Sequence, residues 1–559
     1  RKSGRSNCSK PASCLQRILL NDSFSLNKNS AFQKAEFFCR QKLPALYRKN
    51  IIFVYMATKA LFNTVVNYFI RQRIDQIQNF MNRPLETQNG VLLSQLFLAE
   101  NTDYGKIHGF NSISCYDDFR RNIPIVTYED FEPFIEQARQ GKPDVIWPGY
   151  IRKFAKSSGT TNAKSKFIPI SEESLADCHF KAGKDLVSIY ANNHPDNALF
   201  LNKNLRLGGS SELYKNYNTK FGDLSAIMIE NLPFWVEITT TPSKKISLMS
   251  EWESKLKAII SEVKNEDVGS LTGVPSWMMV LLQRVLAETG NKSISELWPN
   301  LEVFFHGGIS FKPYKEQYRK IIGKDINYYE IYNASEGFFG IQDQYGSDEM
   351  LLMLDYGIFY EFIPMETFDP KNLEAIPLEN VEIGKNYAMV ITTNSGLWRY
   401  LIGDTVKFTS LKPFRIKISG RTKHFINAFG EELMIDNVET ALTKACEVTD
   451  SCVSDFTGAP VFMKDGESGA HEWIFEFTKP PQDLAHFTDI FDGHLKAVNS
   501  DYEAKRYNNI TLKKPIVHAA KPHLFYEWMS QRGKLGGQNK VPRLSNDREF
   551  IEPLLLLNQ

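Results

Sequence analysis

The chain has 559 residues, 42% hydrophobic and 13% aromatic, with 66 basic and 65 acidic side chains. That length exceeds one hydrophobic core, so two or more domains are expected, and the composition excludes a mostly disordered or collagen-like chain. A net charge of +1 argues against a dedicated nucleic-acid binder.

The balance is uneven along the chain. Residues 1–55 carry 11 basic and 2 acidic side chains, so the remainder, with 55 and 63, stands at −8. The first Met is Met56, and regular amphipathic pattern begins there. A leader rich in Ser and basic residues suits an organelle-targeting peptide. The absence of a sustained helical period favours a tail that is disordered or outside the native domain. Cys8, Cys14 and Cys39 lie in this leader. Cys115, Cys178, Cys446 and Cys452 are scattered and form no C-x-x-C pattern, which argues against a zinc site or disulfide framework. No run of about 18 apolar residues exists, so no transmembrane helix and no membrane role are expected. A cytoplasmic monomer is the default.

Residues 57–82 read as a helix, with Val66, Ile70, Ile74, Ile77 and Met81 on one face and Pro84 at its end; 86–99 reads as a second. From about 150, strand-like runs at 151–155, 167–170, 224–229, 301–305, 327–332, 358–363, 387–392 and 415–418 alternate with helical stretches at 249–263 and 275–288. Asn394-Ser395-Gly396 reads as a turn. Beyond Ser419-Gly420-Arg421, residues 432–446 look helical and 471–477 alternate as a strand. The pattern predicts an α/β (α+β) chain. A large domain over 56–418 has sheets packed by helices, and a small mobile α/β domain follows over 419–559.

Five stretches carry residues suited to chemistry. Between two strand-like runs lies Lys156-Ser157-Ser158-Gly159-Thr160-Thr161-Asn162-Ala163-Lys164-Ser165-Lys166, whose hydroxyls and backbone N–H groups could hold phosphate oxygens; a helix starts only at Ser171. It lacks the P-loop pattern, and such clusters also make plain surface loops. Tyr332-Asn333-Ala334-Ser335-Glu336-Gly337 puts a carboxylate, a hydroxyl and an aromatic at a strand end, fit for Mg²⁺, phosphate and a base, or for a solvated loop. Trp398-Arg399-Tyr400-Leu401-Ile402-Gly403-Asp404 offers a carboxylate for vicinal hydroxyls, or a turn. Gly420-Arg421-Thr422-Lys423-His424 marks the inferred boundary. Gly536-Gly537-Gln538-Asn539-Lys540-Val541-Pro542-Arg543 could carry a cation into a site, or be a solvated loop.

In combination and order, these stretches resemble the adenylate-forming superfamily of acyl-CoA synthetases, luciferases and peptide-synthetase adenylation domains. More closely, the chain is similar to the Gretchen-Hagen-type acyl-acid amido synthetases, over about 60–545. The resemblance implies an ATP- and Mg²⁺-dependent ligase that activates a carboxylic acid as acyl-AMP and transfers it to an amino acid. It assigns Ser157, Ser158, Gly159, Thr160 and Thr161 to the phosphate loop, Tyr332 to the adenine and Ser335 to the α-phosphate. Glu336 would hold Mg²⁺, Asp404 the ribose, and Arg421 would sit at the hinge and reach the nucleotide. Lys540 would act in adenylation, and His306, Gly307 and Gly308 would line the acyl pocket. Phe234, Trp235 and Phe338 suit a hydrophobic or aromatic acid. Asn162-Ala163 departs from a glycine usual in the superfamily loop, and Asn427 stands where many acyl-CoA synthetases carry lysine. Two other readings are an acyl-CoA synthetase and a non-catalytic nucleotide-binding scaffold. The absence of G-x-S-x-G and H-E-x-x-H agrees with chemistry that needs no nucleophilic side chain.

Overall fold

The computed structural model describes residues 70–157, 166–208, 213–216, 218–249, 251–309, 311, 314–422, 425–464, 467–531 and 542–559. Residues 73–559 form one compact unit. The leader and the predicted helical residues 57–69 lie outside the described residues, whereas 70–82 are helical. A new helix, Pro84–Ala99, follows with its proline in the first turn, where the missing N–H costs nothing.

Among the described residues, a twelve-stranded mixed sheet is the main scaffold. One half is parallel: Thr240–Thr241, Lys203–Leu207, Val268–Gly273, Val303–Gly307 and Asn327–Ala334 lie side by side. The other half is antiparallel and includes Gly337–Ile341, Ile358–Pro364, Asn386–Thr393, Tyr400–Leu411 and Phe414–Arg421. Asn386–Thr393 is buried nearly throughout, which is why Tyr387 to Ile391 run apolar without alternating. A four-stranded sheet holds the hairpin of Lys153–Ser157 and Lys166–Ile170. Ser171 then caps the next helix, accepting from the N–H of Ser174.

Three expectations are corrected. Residues 224–229 are a helix, Leu224–Glu230, not a strand; Leu224 and Ile227, three apart, both enter the main core. The short run, apolar at five of its six positions, carries no period that separates the two, and the preceding strand stops at Gly222. The helix expected at 432–446 is Ile435–Thr449, because Leu433–Met434 pairs with Phe425–Ile426 first. Phe338, expected to face the acyl pocket, packs edge-on to Tyr356 in the core.

Beyond residue 435, the strands Cys452–Val461, Ala470–Lys479 and Ile516–Ala519 form a sheet of their own. The helices Ile435–Thr449 and Leu484–Val498 accompany it, supplying Ala441, Leu442, Phe487 and Phe491 to one apolar cluster with Trp473 and Phe475. That cluster is continuous with Leu256, Trp298, Tyr314 and Tyr318 of the larger portion. Tyr314 and Ser276 also donate to the carbonyls of Ala428 and Phe429. No helix among the described residues is long and apolar enough to cross a membrane.

Candidate active site

A cavity of about 1470 Å³ opens at the carboxyl ends of the parallel strands, where open α/β sheets place their ligands. The strand Val303–Gly307 brings His306 to it, and Gly308 turns the chain away at φ +83°. A Cβ on Gly307 would lie 2.5 Å from the carbonyl oxygen of Ile331, its strand partner, so only glycine permits this approach. His306 is buried and stacked on Phe311 at 4.0 Å, and its Nδ1 has no hydrogen-bond partner among the described residues. Burial lowers its pKa to about 3, so the imidazole is neutral at physiological pH.

The hairpin of Asn327–Ala334 with Gly337–Ile341 puts Ser335 and Glu336 at its turn and Tyr332 one strand step back. The Tyr332 hydroxyl donates to Asp404 Oδ2 at 2.8 Å. The register of Tyr400–Leu411 on Phe414–Arg421 sets Asp404 directly opposite Arg421. Arg421 Nε reaches Asp404 Oδ1 at 2.8 Å, and its Nη2 reaches Glu432 Oε1 at 3.3 Å. The carboxylate of Asp404 is thus fixed by two donors, each using one of the two acceptor sites on its oxygen. The remaining lone pairs can accept a pair of adjacent hydroxyls.

Glu336 and Lys166 line the same cavity. Burial pushes the Glu336 carboxyl up to about 7; the charge of Lys166 opposes this and that of Asp404 adds to it. Among the described residues no side chain hydrogen-bonds it; its own backbone N–H does. A desolvated carboxylate with acceptor capacity left over fits a divalent cation. Groups of three or more His, Cys, Asp or Glu able to cage a metal are absent among the described residues. One carboxylate plus phosphate oxygens is the donor set that Mg²⁺ accepts.

The structure therefore gathers His306, Gly308, Tyr332, Ser335, Glu336, Asp404 and Arg421 around one space. Ser157 ends its strand opposite Lys166, at the base of the loop that carries Ser158, Gly159, Thr160 and Thr161; that loop and Lys540 lie outside the described residues. Phe234 and Trp235 begin the helix Phe234–Thr239. The far wall comes from beyond residue 421, including Phe425, Asn427 and Asn546. Asn427 donates to the Gly308 carbonyl at 3.1 Å and accepts from the Glu432 N–H at 3.2 Å. The sequence marked Asn427 only as a departure; its clamping role depends on a fold contact 119 residues apart.

Within the motif ending at Asp404, most residues are structural. Trp398 donates to the Ile146 carbonyl, and Arg399 forms a two-pronged, buried pair with Glu361 at 2.8 and 2.9 Å. Only the end of the motif reaches the cavity.

Fold and site together define an adenylate-forming enzyme architecture. Residues 73–326, 351–421 and 436–549 match in turn the GH3 family N-terminal, central and C-terminal domains. The chain belongs to the GH3, or Gretchen-Hagen, family. It is 23% identical to the probable indole-3-acetic acid-amido synthetase GH3.1 of Arabidopsis thaliana, over 85% of this chain and 91% of that protein. It is 27% identical to the jasmonoyl–L-amino acid synthetase JAR4 of Nicotiana attenuata, over 56% of this chain and 65% of that one. The solved AtGH3.15 acyl acid amido synthetase in complex with 2,4-DB superposes with a TM-score of 0.56 at 18% identity, over 86% of this chain and 95% of that one. A 2-hydroxyisobutyryl-CoA ligase in complex with 2-HIB-AMP and CoA gives 0.52 at 14%, over 85% and 92%.

Proposed function

We propose that this chain is an acid–amino acid ligase. It activates a hydrophobic or aromatic carboxylic acid with ATP as acyl-AMP and passes the acyl group to an amino acid. The observation that carries this reading is the Tyr332–Asp404–Arg421 chain beside Glu336, a ribose and phosphate receptor in one cavity. The family's named amido synthetases support the amide product.

In the first step a carboxylate oxygen attacks the α-phosphorus, forming the C–O–P link and expelling pyrophosphate. Both partners are anions, so the site must offset their repulsion. Lys166 and Arg421 supply fixed positive charge, and we assign Lys540 the mobile one. Asp404 orients the nucleotide through its ribose, Ser335 donates to the α-phosphate, and the 158–161 loop holds the other phosphates. Glu336 would hold Mg²⁺, which when bound neutralises phosphate charge. In the second step a neutral amine attacks the acyl carbonyl. The C–N bond forms, the bond from carbonyl carbon to phosphate oxygen breaks, AMP leaves with that electron pair, and the nitrogen releases its proton to solvent.

We further propose that the portion after residue 418 is a small domain that turns about 418–421 between the two steps, excluding water from the anhydride. The four described cysteines are unpaired, which suits a cytoplasmic enzyme, and we read it as a monomer. Acid-dependent exchange of pyrophosphate into ATP tests the function. Exchange with at least one acid, lowered a hundredfold or more in Lys540→Ala, is expected. No exchange with any acid of a broad panel would overturn it. The mass of the product formed with amino acids or with CoA separates amide from thioester.

A further inference from the structure

A second cavity, of about 460 Å³, lies beside the first, and both are lined by Ser335. Its walls come from both sides of residue 421. Lys156, Asp223 and Trp277 come from the larger portion, and Lys505 from the helix Ser500–Arg506.

Two of these groups are unusual. Lys505 is only 6% exposed, yet its ammonium makes neither hydrogen bond nor ion pair with any described residue. It rests 3.9 Å from the centre of the Trp277 ring. Gly430, at φ +86°, lies beside it. The charges of Asp501, Glu431, Asp223 and Glu432 act on this ammonium, but none of them hydrogen-bonds it, so its donors are open to an anionic group entering the cavity. Among the described residues, the Asp223 carboxylate likewise accepts no hydrogen bond, although it stands at the N-cap of Leu224–Glu230. Burial, then the nearby charge of Asp501, raises its pKa to about 6, and a cation in the cavity would reverse that. One uncommitted cation and one uncommitted anion face a space that ends at the residue assigned to the α-phosphate.

We propose that this second cavity is the acceptor site, and that it takes an amino acid as a zwitterion. Lys505 binds the α-carboxylate; Asp223 pairs with the α-ammonium, accepts one of its protons, and aims the neutral amine so formed past Ser335 at the acyl carbonyl. The cavity also holds Asp501 and Glu432, so a second carboxylate on the ligand is repelled; Trp277, Leu207 and Val274 offer an apolar wall. The acceptor is therefore a neutral, small to medium amino acid such as alanine, valine or leucine, rather than aspartate or glutamate. This inference rests on the ligase reading above for the chemistry, but not for the binding.

The experiment uses the full chain and two variants, Asp223→Asn and Lys505→Met, which keep side-chain shape. In amide formation, each raises KM for L-leucine tenfold or more, with a smaller change in KM for ATP and acid. Aspartate and glutamate are tenfold or more poorer acceptors than leucine. Equal losses in pyrophosphate exchange and in amide formation would mark a structural ion cluster and overturn the proposal, as would an unchanged leucine KM. Saturation-transfer NMR with free L-leucine reads the site without catalysis. Signal in the wild type, lost in both variants, supports the site even if no acid drives exchange, an outcome that would sink the ligase reading alone. Absence of signal in the wild type, or CoA as the only acceptor, overturns the site.

Discussion

Asp404 does two jobs with one carboxylate. It is held by Tyr332 and Arg421, and it keeps lone pairs for a ligand. Removing its charge leaves Arg421 facing Glu432 and Glu336 alone and frees the Tyr332 hydroxyl, so the nucleotide loses an oriented acceptor. Asp404→Asn should raise KM for ATP by about tenfold to a hundredfold, the range of one hydrogen bond to a charged group. Tyr332→Phe, which loosens the carboxylate without discharging it, should cost less than about tenfold. Pyrophosphate exchange at varied ATP measures both, and a larger effect from Tyr332→Phe would reverse the assignment. The motif letters around Asp404 point to this residue, but nothing in them reveals the Tyr332 bond. That contact spans 72 positions and exists only because the two strands belong to one sheet.

At the scale of elements, the helix that presents Lys505 is anchored by Asp492 from the helix Leu484–Val498. Asp492 accepts from Arg506 Nε and Nη2 and from the Tyr502 hydroxyl, each at 2.8 Å, and pairs with Lys496 at 2.7 Å. Burial opposes its charge, but these donors win and hold its pKa below the usual carboxylate range. A depressed folded-state pKa contributes stability that is complete above the unfolded value near 4 and is lost as pH falls through the folded value. Asp492→Asn should therefore cost about 3 kcal/mol at pH 7. In urea unfolding followed from pH 7 down to 3, the gap to wild type should narrow below about pH 4; a constant gap would refute the ionic account. Elements of this kind were readable in sequence where burial leaves a long signature. Asn386–Thr393 has an unbroken apolar stretch from Tyr387 to Ile391, and Pro275–Thr289 sustains a helical period. Leu224–Glu230 was unreadable because five apolar residues in so short a run fit either period, and tertiary packing decides. Lys505 was unreadable for the opposite reason: a lysine on a short charged helix looks solvated until Trp277 covers it.

For the whole molecule, the cavities are built from both sides of residues 418–421, so a turn there would open or close both at once. Dyes at Ile383 and Tyr507, two exposed positions on either side of that segment, should report a change in energy-transfer efficiency on adding ATP and acid together. No change would contradict the domain rotation. Any such motion has to keep Ile426 and Phe429 seated near Tyr314 and Ser276, which makes that contact the pivot. The same apolar cluster joins Leu256 and Trp298 to Trp473 and Phe487 without a break. Neither portion can shed its packing while the other keeps its own. Partly melted states with one half intact are therefore penalised, and a core substitution on one side of residue 421 should lower the melting of both.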